Sequence, residues 1–242
     1  MTYLQFLLLF LVPPIVLLGL WQKFGGFRPP GVVYLRIALI AAIALLYTTP
    51  WDNYVIAIGA WTYPPDAVVG TIGLVPIEEY CFFVLQPLAT GLLFEVERSG
   101  AITRSGARSA SPAGVAAGAG LTIAGIAALV SGFSEYLGLI LVWAGPVVIV
   151  QWLYDGRLLA QTTASWAIPL AASTCYLWIA DAIAIRRGVW SISDAHTSGL
   201  HVVGLPIEEM TFFLLTNSMV LFGLVLLEAG GIPVTSRKGR QP

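Results

Sequence analysis

The sequence predicts an all-α integral membrane protein, with seven transmembrane helices arranged as two parallel three-helix repeats joined by a linking helix. Three observations carry that reading. Of 242 residues, 57% are hydrophobic and only 10% are charged, against about 25% charged in an ordinary soluble domain. Several stretches approach the roughly 20 apolar residues that a bilayer crossing requires. Finally, the segment Val75-Pro76-Ile77-Glu78-Glu79-Tyr80-Cys81-Phe82-Phe83 recurs as Leu205-Pro206-Ile207-Glu208-Glu209-Met210-Thr211-Phe212-Phe213.

The first span covers residues 3–20, with a kink at Pro13-Pro14. It has no basic leader and no small-residue cleavage site, so it reads as a retained span and not as a signal peptide. Lys23 and Arg28 follow in a Gly/Pro-rich loop. The second span starts near Arg36. Pro50 and Asp52 resemble a stop, but Asp52, Gly59 and Trp61 match Asp181, Gly188 and Trp190 at a constant offset of 129. The later segment is apolar throughout 166–185, which extends the second span to residue 58 with a kink at Pro50. Gly59 and Gly188 then punctuate helix C-termini, and Trp61 and Trp190 sit where an aromatic belt belongs.

The third span, 74–94, opens on the first motif. A linker over 95–112, rich in Ser, Gly and Arg, is the clearest boundary in the chain. The fourth span, 113–130, carries Gly114 and Gly118, a small-residue pair that permits close helix approach. The fifth covers 136–153, the sixth 166–185 and the seventh 202–227, which carries the second motif. The organisation is thus an N-terminal three-helix repeat over 1–98, a linker and fourth span over 99–134, a C-terminal three-helix repeat over 135–229 and a basic tail over 230–242.

Ten Lys and Arg residues fall on one side of this layout, counting Arg36 and the tail; only Arg186 and Arg187 fall on the other. This asymmetry predicts a cell-membrane protein with its N-terminus outside and its C-terminus in the cytoplasm. Spans three and seven run in the same direction, so the two halves are related by an axis along the membrane normal. Both motifs then lie at similar depth in the outer half of the membrane and face a shared seam. The net charge of −1 says nothing about nucleic acid, and no basic patch lies outside the loops and tail, so no nucleic-acid partner is expected. Cys81 and Cys175 read as small buried residues with no disulfide between them. His196 and His201 make no metal site, and no Gly-x-Gly-x-x-Gly fingerprint signals a dinucleotide, so neither metal nor cofactor is expected.

The chemistry concentrates in the repeated motif. An ionised carboxylate near mid-bilayer costs roughly 2.5–3.5 kcal/mol on insertion scales, so such residues face a protein interior and serve a function. Proline suits a first helical turn. The carboxylates after it feel two opposed pressures: a helix N-terminus favours the anion, and apolar surroundings favour the neutral acid. Groups under such pressures can divide into acid and base. Glu79, Phe83, Gln86 and Thr90 share one helical stripe, and Glu78 lies over Phe82 as Glu208 lies over Phe212. Each acid thus has an aromatic ring one turn deeper. A ring face stabilises a cation by roughly 2 kcal/mol where water is absent. Asp52 and Asp181 occupy equivalent places near the glutamates and are supporting polar residues.

These residues resemble the membrane-integral lycopene cyclases of the heterodimeric bacterial type and their fused archaeal and fungal relatives. The resemblance rests on Pro76-Ile77-Glu78-Glu79 and Pro206-Ile207-Glu208-Glu209, the aromatic pairs after each, and the Trp51-Asp52-Asn53 region. It covers essentially the whole chain. It implies a lycopene beta-cyclase activity: an acid protonates the terminal double bond of a linear carotenoid, the cation closes a six-membered ring, and a base removes a proton. The substrate would be a lipophilic carotenoid within the bilayer, with membrane lipid and other enzymes of the carotenoid pathway as surroundings. Because the family motif tolerates Asp at the next position, Glu78 and Glu208 are expected to lead as acid and base, with Glu79 and Glu209 second. Phe82, Phe83, Phe212, Phe213, Trp61 and Trp190 are expected to face the substrate.

Rival readings fit less well. Sugar-transporting SWEET proteins share the three-one-three layout, but their Pro-Gln signature does not occur here. A retinal receptor needs a lysine in its last span, and the only lysines are Lys23 and Lys238. A cyclase of fifty-carbon carotenoids or an end-group hydratase remains compatible with the sequence.

Overall fold

The computed structural model describes residues 1–24, 30–98 and 100–230. Arg28 and the basic tail from residue 231 onward lie outside the described residues. Within them, seven helices are long and apolar enough to cross a membrane: α1 (Tyr3–Phe24), α2 (Gly31–Ala57), α3 (Ile77–Glu97), α4 (Pro112–Ser131), α5 (Glu135–Gln161), α6 (Thr163–Arg186) and α7 (Ile207–Gly230). The protein is a helical membrane protein, as hydropathy predicts.

Local chemistry sets the helix ends. Thr2 and Gln5 form a capping box at the start of α1, which satisfies two of its free N–H groups. The same helix widens to a π-turn over Leu7–Leu11, just ahead of Pro13-Pro14, whose missing N–H groups leave that turn's carbonyls short of partners. α2 begins at Gly31, ahead of the expected start near Arg36. Arg36 lies inside it, with its guanidinium 3.8 Å from Glu228, so the charge does not end the helix. α5 runs on to Gln161, well past the expected end at 153. Asp155 interrupts it with φ −159° and ψ 61°, and its carboxylate takes a 2.6 Å ion pair from Arg104.

α3 and α7 start later than the sequence suggests, because each is preceded by a small hairpin. β2 (Thr71–Ile72) pairs with β3 (Val75–Pro76), and β5 (His201–Val202) pairs with β6 (Leu205–Pro206), both antiparallel. Pro76 caps α3 with φ −56°, one position before the first turn. The hairpin turns use positive φ at Gly73 (66°), Val203 (53°) and Gly204 (82°). A third pair, β1 (Trp61–Thr62) with β4 (Ser191–Ile192), joins the loop after α2 to the loop after α6.

α7 and α3 sit at the centre: 67% and 56% of their most apolar stretches are buried, against 17% for α1 and 22% for α4. α7 packs on α2, α3, α5 and α6. α4 leans on α5 through small residues. A methyl group at Gly118 would stand 2.9 Å from the Ile149 amide and 3.1 Å from the Gly145 carbonyl, so the two backbones approach as only glycine allows. A buried polar chain joins α3, α6 and α7: Gln86 and Thr90 donate to Asn217, which donates to Thr174. At the end of the bundle away from the hairpins, Arg98 pairs with Glu95 and Glu228.

Cys81 and Cys175 are unpaired and exposed, contrary to the expected burial. In a bilayer the outer wall of a bundle is as apolar as its core, so an apolar run does not reveal which face a small residue takes.

Candidate active site

Successive helical residues point about 100° apart, so the two glutamates of each motif must diverge. Glu78 Oε1 accepts the Val69 N–H at 2.8 Å. Glu208 Oε1 accepts the Ser198 N–H at 2.7 Å and the Ser134 hydroxyl at 3.0 Å. Both side chains are buried, and both clamp neighbouring loop segments to a helix N-terminus.

Their neighbours turn into the bundle. Glu79 accepts two phenolic hydrogen bonds, from Tyr3 at 2.6 Å and Tyr63 at 2.7 Å. Glu209 accepts the Trp61 indole N–H at 3.3 Å, and Asp181 accepts the Trp190 indole N–H at 2.9 Å. Both oxygens of Asp52 lack a partner. All four carboxyls are at most 3% exposed; Glu79 lies within electrostatic reach of the other three, and Asp181 within reach of Glu209. α2, α3, α6 and α7 each contribute one. Among the described residues no ion pair reaches any of them. Tyr63, on the loop after β1, has a phenol held well above its ordinary range, first by burial and then by Glu79, so it remains a donor.

Aromatic rings close the site. Phe212 stacks on Trp51 at 5.8 Å and on Trp143 at 6.0 Å, and meets Trp61 edge-on at 6.0 Å. Phe82 meets Phe213 at 6.2 Å, and Trp190 lies 4.9 Å from both Tyr3 and Phe6. Phe83 is buried as well. Trp61 and Trp190 are therefore not members of an interfacial belt. They are buried, because their N–H groups find carboxyl acceptors inside the bundle.

A cavity of about 10 Å³ lies among Tyr3, Trp61, Glu79, Asp181, Trp190 and Phe212, room for about one water. Phe82 and Phe212 also wall a far larger apolar groove of about 660 Å³ between α2, α3, α5 and α7. It continues to Leu227 and Gly230. At 1.5 Å per helical residue, the stretch from Phe212 to Gly230 measures about 27 Å. A second groove, about 300 Å³, lies between α1, α3 and α6 and includes Gln86, Tyr176 and Leu177.

A buried acid cluster at the head of a long hydrocarbon groove suits proton chemistry on a lipid-soluble chain. The family model described as lycopene cyclase matches residues 1–96 and 135–228. The chain belongs to the lycopene cyclase family. It is accordingly an enzyme of carotenoid ring closure. Lycopene beta-cyclase of Halobacterium salinarum is 38% identical over 232 residues, covering 93% of this chain and 95% of that protein. Bifunctional lycopene cyclase/phytoene synthases of Arthroderma gypseum and Gibberella fujikuroi are each 37% identical, over 79% and 78% of this chain. The chain spans only about a third of those fungal proteins, 36% and 34%. No solved structure matches it significantly. The lycopene cyclase match leaves out residues 97–134, which hold the linker and all of α4, and includes every carboxyl of the cluster.

Sequence reasoning singles out none of Tyr3, Tyr63, Tyr136 or Trp143. Tyr136 packs on Trp61 at 6.1 Å, and its hydroxyl interacts with Glu209 without completing a hydrogen bond. Tyrosines at the ends of apolar runs read as interface anchors, and nothing in their spacing marks them as partners of acids.

Proposed function

We propose that this chain converts the linear end groups of lycopene to β-rings, giving γ-carotene and then β-carotene, by acid–base catalysis in the cluster of Asp52, Glu79, Asp181 and Glu209. The observation that carries this is the burial of four carboxyls, one from each of four helices, two of which, Glu79 and Asp181, line a small cavity that shares the rings of Phe82 and Phe212 with an apolar groove. The order expected from the family motif is reversed in this reading. Glu79 and Glu209 do the proton transfer; Glu78 and Glu208 hold the loops.

The reaction needs no change of oxidation state. A carboxyl O–H gives its proton to the terminal double bond, leaving a tertiary cation. The electrons of a neighbouring double bond close the six-membered ring and move the cation within it. A carboxylate then takes a ring proton, and the C–H electrons become the new double bond. Phe82, Phe83, Phe212 and Phe213, with Trp61 and Trp190, offer π-faces to the cation, worth about 2 kcal/mol or more where water is excluded. Their packing keeps water from capturing it as an alcohol. The polyene tail lies along the larger groove, and Phe82 and Phe212 swing aside to admit the end group, since the cavity at the acids is too small for a ring.

In this reading α1 starts outside, α7 ends toward the cytoplasm and the acid cluster lies in the outer leaflet; the asymmetry of positive residues supports it. Residues 1–98 and 135–229 act as two parallel three-helix halves, with 99–134 linking them. Tyr47 donating to the Trp143 carbonyl and Tyr176 donating to the Phe10 carbonyl, both at 2.8 Å, support this pairing of halves. Lipid surrounds the bundle, and other carotenoid-pathway enzymes are its partners in the membrane.

The test is pigment chromatography of lycopene-producing cells that express the chain. Cyclic pigment is expected. Unchanged lycopene in cells with normal membrane levels of the protein contradicts the reading, and hydroxylated end groups favour a hydratase.

A further inference from the structure

The two sides of the acid cluster are not alike, and the difference lies in their donors. Glu79 is gripped at both oxygens, by the Tyr3 and Tyr63 hydroxyls. Glu209 has one indole donor at 3.3 Å, and its Oε2 has none. Asp181 also has one indole donor, and its Oδ2 has none. The asymmetry is built into the sequence. Thr62 and Ser191, which pair across β1 and β4, are separated by 129 positions; at the same separation Tyr63 is matched by Ile192, which has no hydroxyl to give.

Resting on the cyclase reading above, we propose that Asp181 and Glu209 deliver the proton, that Glu79 removes it, and that Tyr63 is the positioning residue that fixes which ring proton Glu79 takes. Asp181 and Glu209 are neighbours in the cluster, and each has one buried oxygen without a donor. One proton held between those two oxygens satisfies both, and it is the proton the terminal double bond receives. Two phenolic O–H groups do the opposite for Glu79. They solvate its carboxylate and fix its plane, and each oxygen keeps a lone pair free to accept a proton from carbon. The proton balance closes within the cluster: the proton Glu79 gains returns to the Asp181–Glu209 pair, since Glu79 and Asp181 line the same small cavity. Each ring therefore leaves the proton count of the site unchanged.

The position of the base relative to the ring cation decides where the ring double bond forms. Tyr63→Phe removes one hydroxyl while keeping the ring stacked on Tyr3 at 6.0 Å. The proportion of rings with the double bond outside the β position is expected to rise at least fivefold over the parent protein. Tyr3→Phe, which removes the other donor to the same carboxylate, shifts the ratio in the same direction and serves as the second variant if Tyr63→Phe does not accumulate. Incorporating 3-fluorotyrosine at position 63, which keeps the donor, retains the parent ratio. Tyr136→Phe, on the Glu209 side, slows cyclisation and leaves the ring isomer ratio unchanged. The proposal is overturned if Tyr63→Phe and Tyr3→Phe keep the parent isomer ratio, or if Tyr136→Phe is the variant that shifts it. A parent protein that forms no ring at all instead refutes the cyclase reading beneath it.

Discussion

The indole N–H of Trp61 donates to Glu209 across 148 positions of sequence, at 3.3 Å. Trp61 belongs to the loop after α2 and Glu209 to the first turn of α7, so this bond ties the N-terminal part of the chain to an acid supplied by the C-terminal part. It also fixes one oxygen of that acid and leaves the other free.

Trp61→Phe keeps an aromatic ring against Phe212 and removes the donor. A hydrogen bond to a charged or reacting carboxyl is worth about 1.5–3 kcal/mol, so turnover should fall by about tenfold or more. The measurement is the initial rate of ring formation with purified protein in lipid. An unchanged rate shows that the bond does not orient Glu209.

Phe212 lies nearly parallel to Trp51, at 6°, and forms part of both the small cavity and the large groove. Phe212→Leu preserves apolar bulk and loses the π-face. A loss of about 2 kcal/mol of cation stabilisation corresponds to roughly 30-fold in rate, and hydroxylated end groups should appear where water reaches the cation. Product analysis by mass reads both effects.

How much of this was visible in the sequence differs by feature. The spans were legible because a bilayer demands long apolar runs, and Asp52, Glu78, Glu79, Asp181, Glu208 and Glu209 were conspicuous because carboxyls inside such runs are costly. The phase of the helix was not. Glu78 and Glu79 are adjacent, and only the neighbouring loops and helices decide that Glu78 meets the Val69 amide while Glu79 meets two phenols. The hairpins before α3 and α7 have two-residue strands, too short to show any alternation. Tyr3 and Tyr63 find Glu79 through tertiary packing, which local pattern does not carry.

The two grooves differ in what they should tolerate. Val147→Trp puts bulk into the larger groove along the proposed path of the tail, and lycopene should accumulate while the protein remains folded in the membrane. Leu17→Trp puts similar bulk into the second groove and should leave cyclisation near the parent level. Pigment ratios from matched membranes check this, and the reverse pattern would place the tail in the second groove.

The most direct measurement compares four single substitutions in lycopene-producing cells, with ring formation normalised to protein in the membrane. Glu79→Gln and Glu209→Gln should each lose about 10²-fold or more, the scale of a missing general acid or base, and leave lycopene as the main pigment. Glu78→Gln and Glu208→Gln keep an acceptor oxygen for the loop amides and should stay within about tenfold of the parent. If instead the Glu78 and Glu208 variants abolish ring formation while the Glu79 and Glu209 variants cyclise normally, the inward-facing cluster is not where the proton moves.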